Sequence, residues 1–194
     1  MAKALNKIFW GSLLVFLNFH INHFDILPDF LGYIIIFLGL TGLVSYSEHF
    51  SKAKSYVLIL AAVSLPLIYQ FEVNMAEPIE MTANAYGLMA IYIGVAFVHL
   101  GFVYHFMRGL MDIAQENPFK PLEKKTRTFL RFYIILTLAT QIVSMLILIP
   151  YALSIGLILA PLILVLAIVS FIVEIMLLVL IRQFRSISLL EEMK

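Results

Sequence analysis

Cysteine is absent from this 194-residue chain, which excludes disulfides, thiolate metal sites and cysteine nucleophiles from the outset. Charge is scarce as well. Lys, Arg, Asp and Glu make up 13% of the residues, about half the share usual in soluble proteins. The formal net charge is only +1, and without clustered excess cation there is no basis for a nucleic-acid partner. The signatures of common chemistries are missing too: no GxSxG nucleophile elbow, no HExxH zinc helix, no glycine-rich phosphate loop and no kinase set. No cofactor is therefore expected, and Ser and His occur without an order that would make a nucleophile and its base.

What the chain does have is long apolar runs, with 62% of its residues hydrophobic. That composition excludes an ordinary water-soluble fold. A hydrocarbon core of about 30 Å needs roughly 20 apolar residues in a helix. Six runs approach that length, over 7–24, 28–46, 56–71, 85–110, 128–149 and 154–181. The expected fold is all-α: a single polytopic integral membrane helical bundle of six transmembrane helices, with the bilayer as its first partner. Lys3 and Lys7 ahead of the apolar Ile8–Leu17 imitate a signal peptide. No small-x-small site follows, so the first helix is expected to stay.

Orientation follows from Lys and Arg, which are retained on the cytoplasmic side during insertion. All 13 sort to one side: Lys3 and Lys7 before the first run, Lys52 and Lys54 between the second and third, Arg108 to Arg131 around the fourth-to-fifth connection, and Arg182, Arg185 and Lys194 after the sixth. The other side carries acids and histidine, with Asp25 and Asp29 in the first turn and Glu72, Glu77 and Glu80 in the next outer loop. Both termini are thus predicted to be cytoplasmic. The longest polar stretch is an inner loop over 111–127, where Pro118 and Pro121 prevent continuous helix. Its cations, Lys124, Lys125, Arg127 and Arg131, could also meet anionic lipid. After Arg182 the tail is expected to lie as a short helix at the inner interface. Gly32 and Gly39 in the second run are echoed by Gly87 and Gly94 in the fourth, a spacing that often marks close helix packing.

Two places could carry chemistry. The first hairpin packs Asn18, His20, Asn22, His23, Asp25 and Asp29 into twelve residues. Pro28 and Asp29 suit a helix start, the aspartate meeting the positive end of the dipole. The same groups could instead form an outward-facing cation or polar-solute site, with His20 and His23 as candidate metal ligands. On one continuous helix Asn18, Asn22 and Asp25 share a face while His20 and His23 lie opposite. A metal would therefore need further ligands, such as Asp29 or the second outer loop.

The second place is inside the bilayer, where a carboxylate or histidine is a functional candidate by default. Glu174 lies eight residues before Arg182 and His99 nine before Arg108, about 12 and 13.5 Å along their helices. The two sit at comparable depth. Tyr92 shares a stripe with His99, and Thr137, Gln141 and Ser144 form a polar stripe in the fifth run, so a polar seam among runs four to six is predicted. Glu174, His99, Gln141 and Tyr92 are its solute-binding or proton-relay candidates; a purely structural interhelical hydrogen bond is the other reading. His105 is placed near the inner boundary with no special role, and His49 in a solvated inner loop.

The hairpin Asp25-Ile-Leu-Pro28-Asp29-Phe-Leu-Gly32-Tyr33, followed by an apolar run, resembles a segment of small multi-span membrane proteins of Gram-positive bacteria that have no known activity. The resemblance implies a bacterial cytoplasmic membrane location and brings no site residue with it. In size and run number the chain also resembles the substrate-binding membrane subunits of energy-coupling-factor vitamin transporters, and its Pro-Asp hairpin is similar to that of the rod-shape membrane proteins. Three functions are compatible: a solute-binding or transport component, an accessory, immunity or regulatory protein that packs against a membrane partner or a second copy of itself, and an intramembrane metal-dependent enzyme.

Overall fold

A computed structural model describes residues 1–17, 20–21, 24–25, 29–65, 83–115, 119–147 and 152–193. Six helices account for nearly all of them: α1 (Ala2–Leu17), α2 (Asp29–Thr41), α3 (Glu48–Ser64), α4 (Ala83–Ala114), α5 (Lys120–Ile147) and α6 (Ala152–Glu192). Each packs on the next in sequence and α6 returns to α1, so the six close into a ring. Three are long and apolar enough to cross a bilayer, over Ala90–Ala114, Lys120–Leu146 and Ala160–Glu192. α2 is a shorter apolar helix of 13 residues, about 20 Å long. Many large apolar side chains face outward, with Ile135 66%, Leu164 62% and Leu58 59% exposed, as expected where the solvent is lipid rather than water.

Helix ends differ from the apolar runs in instructive ways. α1 spans Ala2–Leu17 and does not reach Phe24. A two-residue antiparallel ladder follows, β1 (His20–Ile21) on β2 (Phe24–Asp25), with His20 opposite Asp25. Asn18, Asn22 and His23, the other residues weighed on a helical face, lie outside the described residues. α3 begins at Glu48, eight residues before its apolar run, because Ser47 caps it: the Ser47 hydroxyl accepts from the His49 amide at 3.2 Å. Lys52 Nζ lies 2.8 Å from Glu48 Oε1 and holds that exposed carboxyl below its usual range.

The polar stretch 111–127 is mostly helix as well. α4 runs on to Ala114 and α5 starts at Lys120, with Pro121 in the first turn, where its missing N–H costs no intrahelical bond. α6 is one continuous helix of 41 residues, about 61 Å, so the tail is its extension and not a separate interfacial piece. The C-terminal end of α6 is held by packing. Phe184 is fully buried and stacks on Phe119 at 5.8 Å, Lys125 donates to Gln183 at 2.8 Å, and Glu192 accepts from the Ala2 amide at 3.2 Å, satisfying one of the unpaired donors of α1.

The closest helix pair is α1 with α2. A Cβ at Gly11 would lie 2.7 Å from the Gly32 carbonyl oxygen, and one at Gly39 would lie 2.9 Å from that of Ala4. The two backbones approach because neither helix has a side chain there, and Leu5, Ile8, Ile36 and Leu40 bury themselves on either side. Gly32 and Gly39 are thus used inside the chain. Gly87 and Gly94 have nothing within 4 Å of a built Cβ.

Candidate functional site

α4, α5 and α6 each bring one titratable side chain to a common point. Tyr133 of α5 is buried at 5% exposure. Its hydroxyl lies 3.0 Å from His99 Nδ1 of α4 and 3.2 Å from Glu174 Oε1 of α6. The depth match between His99 and Glu174 is therefore realised through a third residue.

The hydroxyl carries one proton, and this fixes the order of the chain. When Glu174 is ionised it can only accept, so Tyr133 donates to it and His99 donates its Nδ1–H to Tyr133 Oη. When Glu174 carries the proton the order reverses: the carboxyl donates to Tyr133, and Tyr133 donates to an unprotonated His99 Nδ1. Passing from one arrangement to the other breaks the His99 N–H and Tyr133 O–H bonds and forms a new Tyr133 O–H and a Glu174 O–H. The transfer starts from an imidazolium that also carries its Nε2 proton, so the net result is one proton moved from imidazolium to carboxylate, leaving a neutral imidazole and a neutral carboxyl with tyrosine unchanged.

Beside this triad lies a pocket of about 280 Å³ inside the ring. Ser12, Val15 and Phe16 of α1, Tyr33 and Ile36 of α2, His99 and Phe102 of α4, and Glu174 and Leu177 of α6 line it. Tyr33 is buried, one turn beyond Asp29, the first residue of α2. Ser12 Oγ is buried without a hydrogen-bond partner among the described residues. No lysine or arginine is among the lining residues.

The other predicted residues fall elsewhere. Gln141 is eight residues beyond Tyr133 on α5, about 12 Å along the helix, and does not line the pocket. Tyr92 is half exposed on the outer part of α4, seven residues from His99. Ser144 of the α5 polar stripe donates to the Thr140 carbonyl at 3.0 Å, and Thr140 beside the stripe donates to that of Thr137 at 2.7 Å. His20 and Asp25 face each other in backbone register at the hairpin, while His23, Glu72, Glu77 and Glu80 lie outside the described residues. Among the described residues no group of three or more His, Cys, Asp or Glu could hold a metal ion.

Tyr133 was missed although its signal was present. The stripe Ser144, Gln141, Thr137 continues back by one more turn to residue 133.

A second cluster joins the first half of α3 to the last part of α4. His49 and His105 approach to 3.1 Å between Nδ1 atoms, so one donates and the other accepts. Tyr56 stacks on His105 at 5.5 Å, and Tyr104 meets its edge at 5.2 Å. Ser47 donates to Asp112. His49 is thus half-buried in the first turn of α3, not in a solvated loop.

No known protein-family model matches the chain, and no curated protein or solved structure is significantly similar to it.

Proposed function

We propose that the chain is a six-span protein of the bacterial cytoplasmic membrane, with both termini cytoplasmic, that binds a small solute or ion within the ring and relays a proton through Glu174, Tyr133 and His99. The observation that carries this reading is the Tyr133 hydroxyl standing between the Glu174 carboxylate and the His99 imidazole, both of which line a pocket. A buried carboxylate is costly in a bilayer, and an interhelical contact needs no more than serine or asparagine. Glue alone therefore does not account for three titratable groups in sequence. The pocket is also small. Its 280 Å³ equals the liquid volume of about nine waters, below the usual range for drug-sized ligands, which favours an ion or a ligand of few heavy atoms. The six-span topology and its orientation are supported by the sorting of all 13 cations and by the succession of six helices.

The test is purified protein reconstituted into liposomes that contain a pH-sensitive dye. An imposed pH gradient should collapse faster with the wild type than in empty vesicles. Glu174→Gln and Tyr133→Phe should both remove that difference. Collapse at the wild-type rate in Glu174→Gln would refute the relay.

A further inference from the structure

From the lining of the pocket beside the triad we infer that its ligand is a small organic ammonium ion, an inference that rests on Glu174 being a functional group of the ring interior. Three aromatic rings, Phe16, Tyr33 and Phe102, come from three different helices and surround the same space. The negative face of an aromatic ring attracts a cation, and several rings around one space suit an alkylated ammonium, whose methyl groups also need apolar contact. Glu174 supplies the single carboxylate, and no lysine or arginine in the lining competes for it.

Alternative ligand classes fit less well. An anion would meet the Glu174 carboxylate with no lysine or arginine in the lining to hold it. A hard metal ion requires several oxygen ligands, and Glu174 is the only carboxylate in the lining. A neutral apolar ligand would bury the carboxylate without compensation. An ammonium ion neutralises the carboxylate and uses the rings, and the volume of about nine waters accommodates a ligand of the size of choline. Proton and ligand then compete for one carboxylate, and this competition would couple the pocket to the relay.

Full-length protein in detergent is titrated with choline and, separately, with 3,3-dimethyl-1-butanol, its uncharged isostere, by calorimetry. Choline is expected to bind and the isostere is not. Glu174→Gln should abolish binding, and Phe102→Leu, which keeps an apolar side chain in place, should weaken it about tenfold. Tyr133→Phe should retain choline binding, since Tyr133 is not among the lining residues, while losing proton movement in liposomes. Equal binding of the isostere, unchanged affinity in Glu174→Gln, or no choline binding by folded wild-type protein would overturn the inference. Collapse of a pH gradient without choline binding leaves the relay standing and removes the ligand; choline binding without proton movement does the reverse.

Discussion

Replacing Gly11 by alanine tests the α1–α2 contact on which the pocket wall depends. A Cβ at Gly11 would sit 2.7 Å from the Gly32 carbonyl oxygen and 2.9 Å from the Ile36 amide nitrogen, while ordinary contact begins at 3.4 Å. The deficit is 0.7 Å, and both obstacles are backbone, so no side chain can rotate away and one helix must move. Overpacking of this kind costs about 1–3 kcal/mol. Alanine also raises helix propensity by about 1 kcal/mol over glycine, which partly hides the loss. Gly94→Ala separates the two effects, because nothing lies within 4 Å of its built Cβ. The propensity gain is common to both variants, so their difference in stability isolates the packing cost, about 1–3 kcal/mol. Unfolding is followed by far-ultraviolet circular dichroism in mixed micelles of mild detergent and dodecyl sulfate, since Trp10 fluorescence would report on its own neighbour. Equal stability of Gly11→Ala and Gly94→Ala would refute the close approach.

Tyr133→Phe removes two interhelical hydrogen bonds, each worth about 0.6 kcal/mol in a membrane protein, so a loss of about 1 kcal/mol is expected in the same unfolding assay; an unchanged midpoint would mean that the hydroxyl is not bonded to both partners. His105→Phe keeps a ring to stack on Tyr56 but removes the contact with His49, a loss of about 1 kcal/mol. Amide hydrogen exchange over the start of α3 should rise, and unchanged exchange there would refute a role for the pair in holding α3 to α4. Trp10, the only tryptophan, is 52% exposed on the outer face of α1 three residues after Lys7. In vesicles its fluorescence should be quenched by lipids brominated near the headgroup and shielded from aqueous iodide, as interfacial tryptophans are; the opposite pattern would place that face in water.

Much of the architecture was legible because lipid leaves a chain few options. Apolar runs of the right length must be helices when backbone groups have no water to bond, and six runs correspond to six helices. Helix ends were less legible, for reasons that differ from place to place. α1 was drawn to Phe24 on hydropathy alone, and it spans Ala2–Leu17. α3, α5 and α6 were drawn too short because polar and charged residues beyond the hydrocarbon still form helix when capped or packed, as Ser47 and Phe184 illustrate. In the site, Glu174 and His99 stood out as groups that are costly in a bilayer. Tyrosine is tolerated in apolar surroundings, so Tyr133 and Tyr33 carried no such mark, and only the tertiary arrangement brings them to the carboxylate.

The ring also explains why the site sits where it does. α1 and α2 meet through Gly11, Gly32 and Gly39 with almost no side-chain volume between them, while α4, α5 and α6 carry large residues at the corresponding depth, among them Phe102, Tyr133 and Glu174. The lining residues Ser12, Val15 and Phe16 place the pocket against α1. Val15 takes part in both the helix contact and the pocket. Its Cγ2 lies 2.5 Å from a Cβ built at Gly32, and the same side chain lines the pocket. A side chain added at Gly32 must therefore displace Val15 toward the pocket, so the glycine contact and the ligand site are mechanically one structure. Gly32→Ala should lower choline affinity as well as stability, although residue 32 does not itself line the pocket, whereas Gly94→Ala should change neither binding nor the relay. Unaltered affinity in a folded Gly32→Ala protein would show that the α1–α2 contact and the pocket are independent.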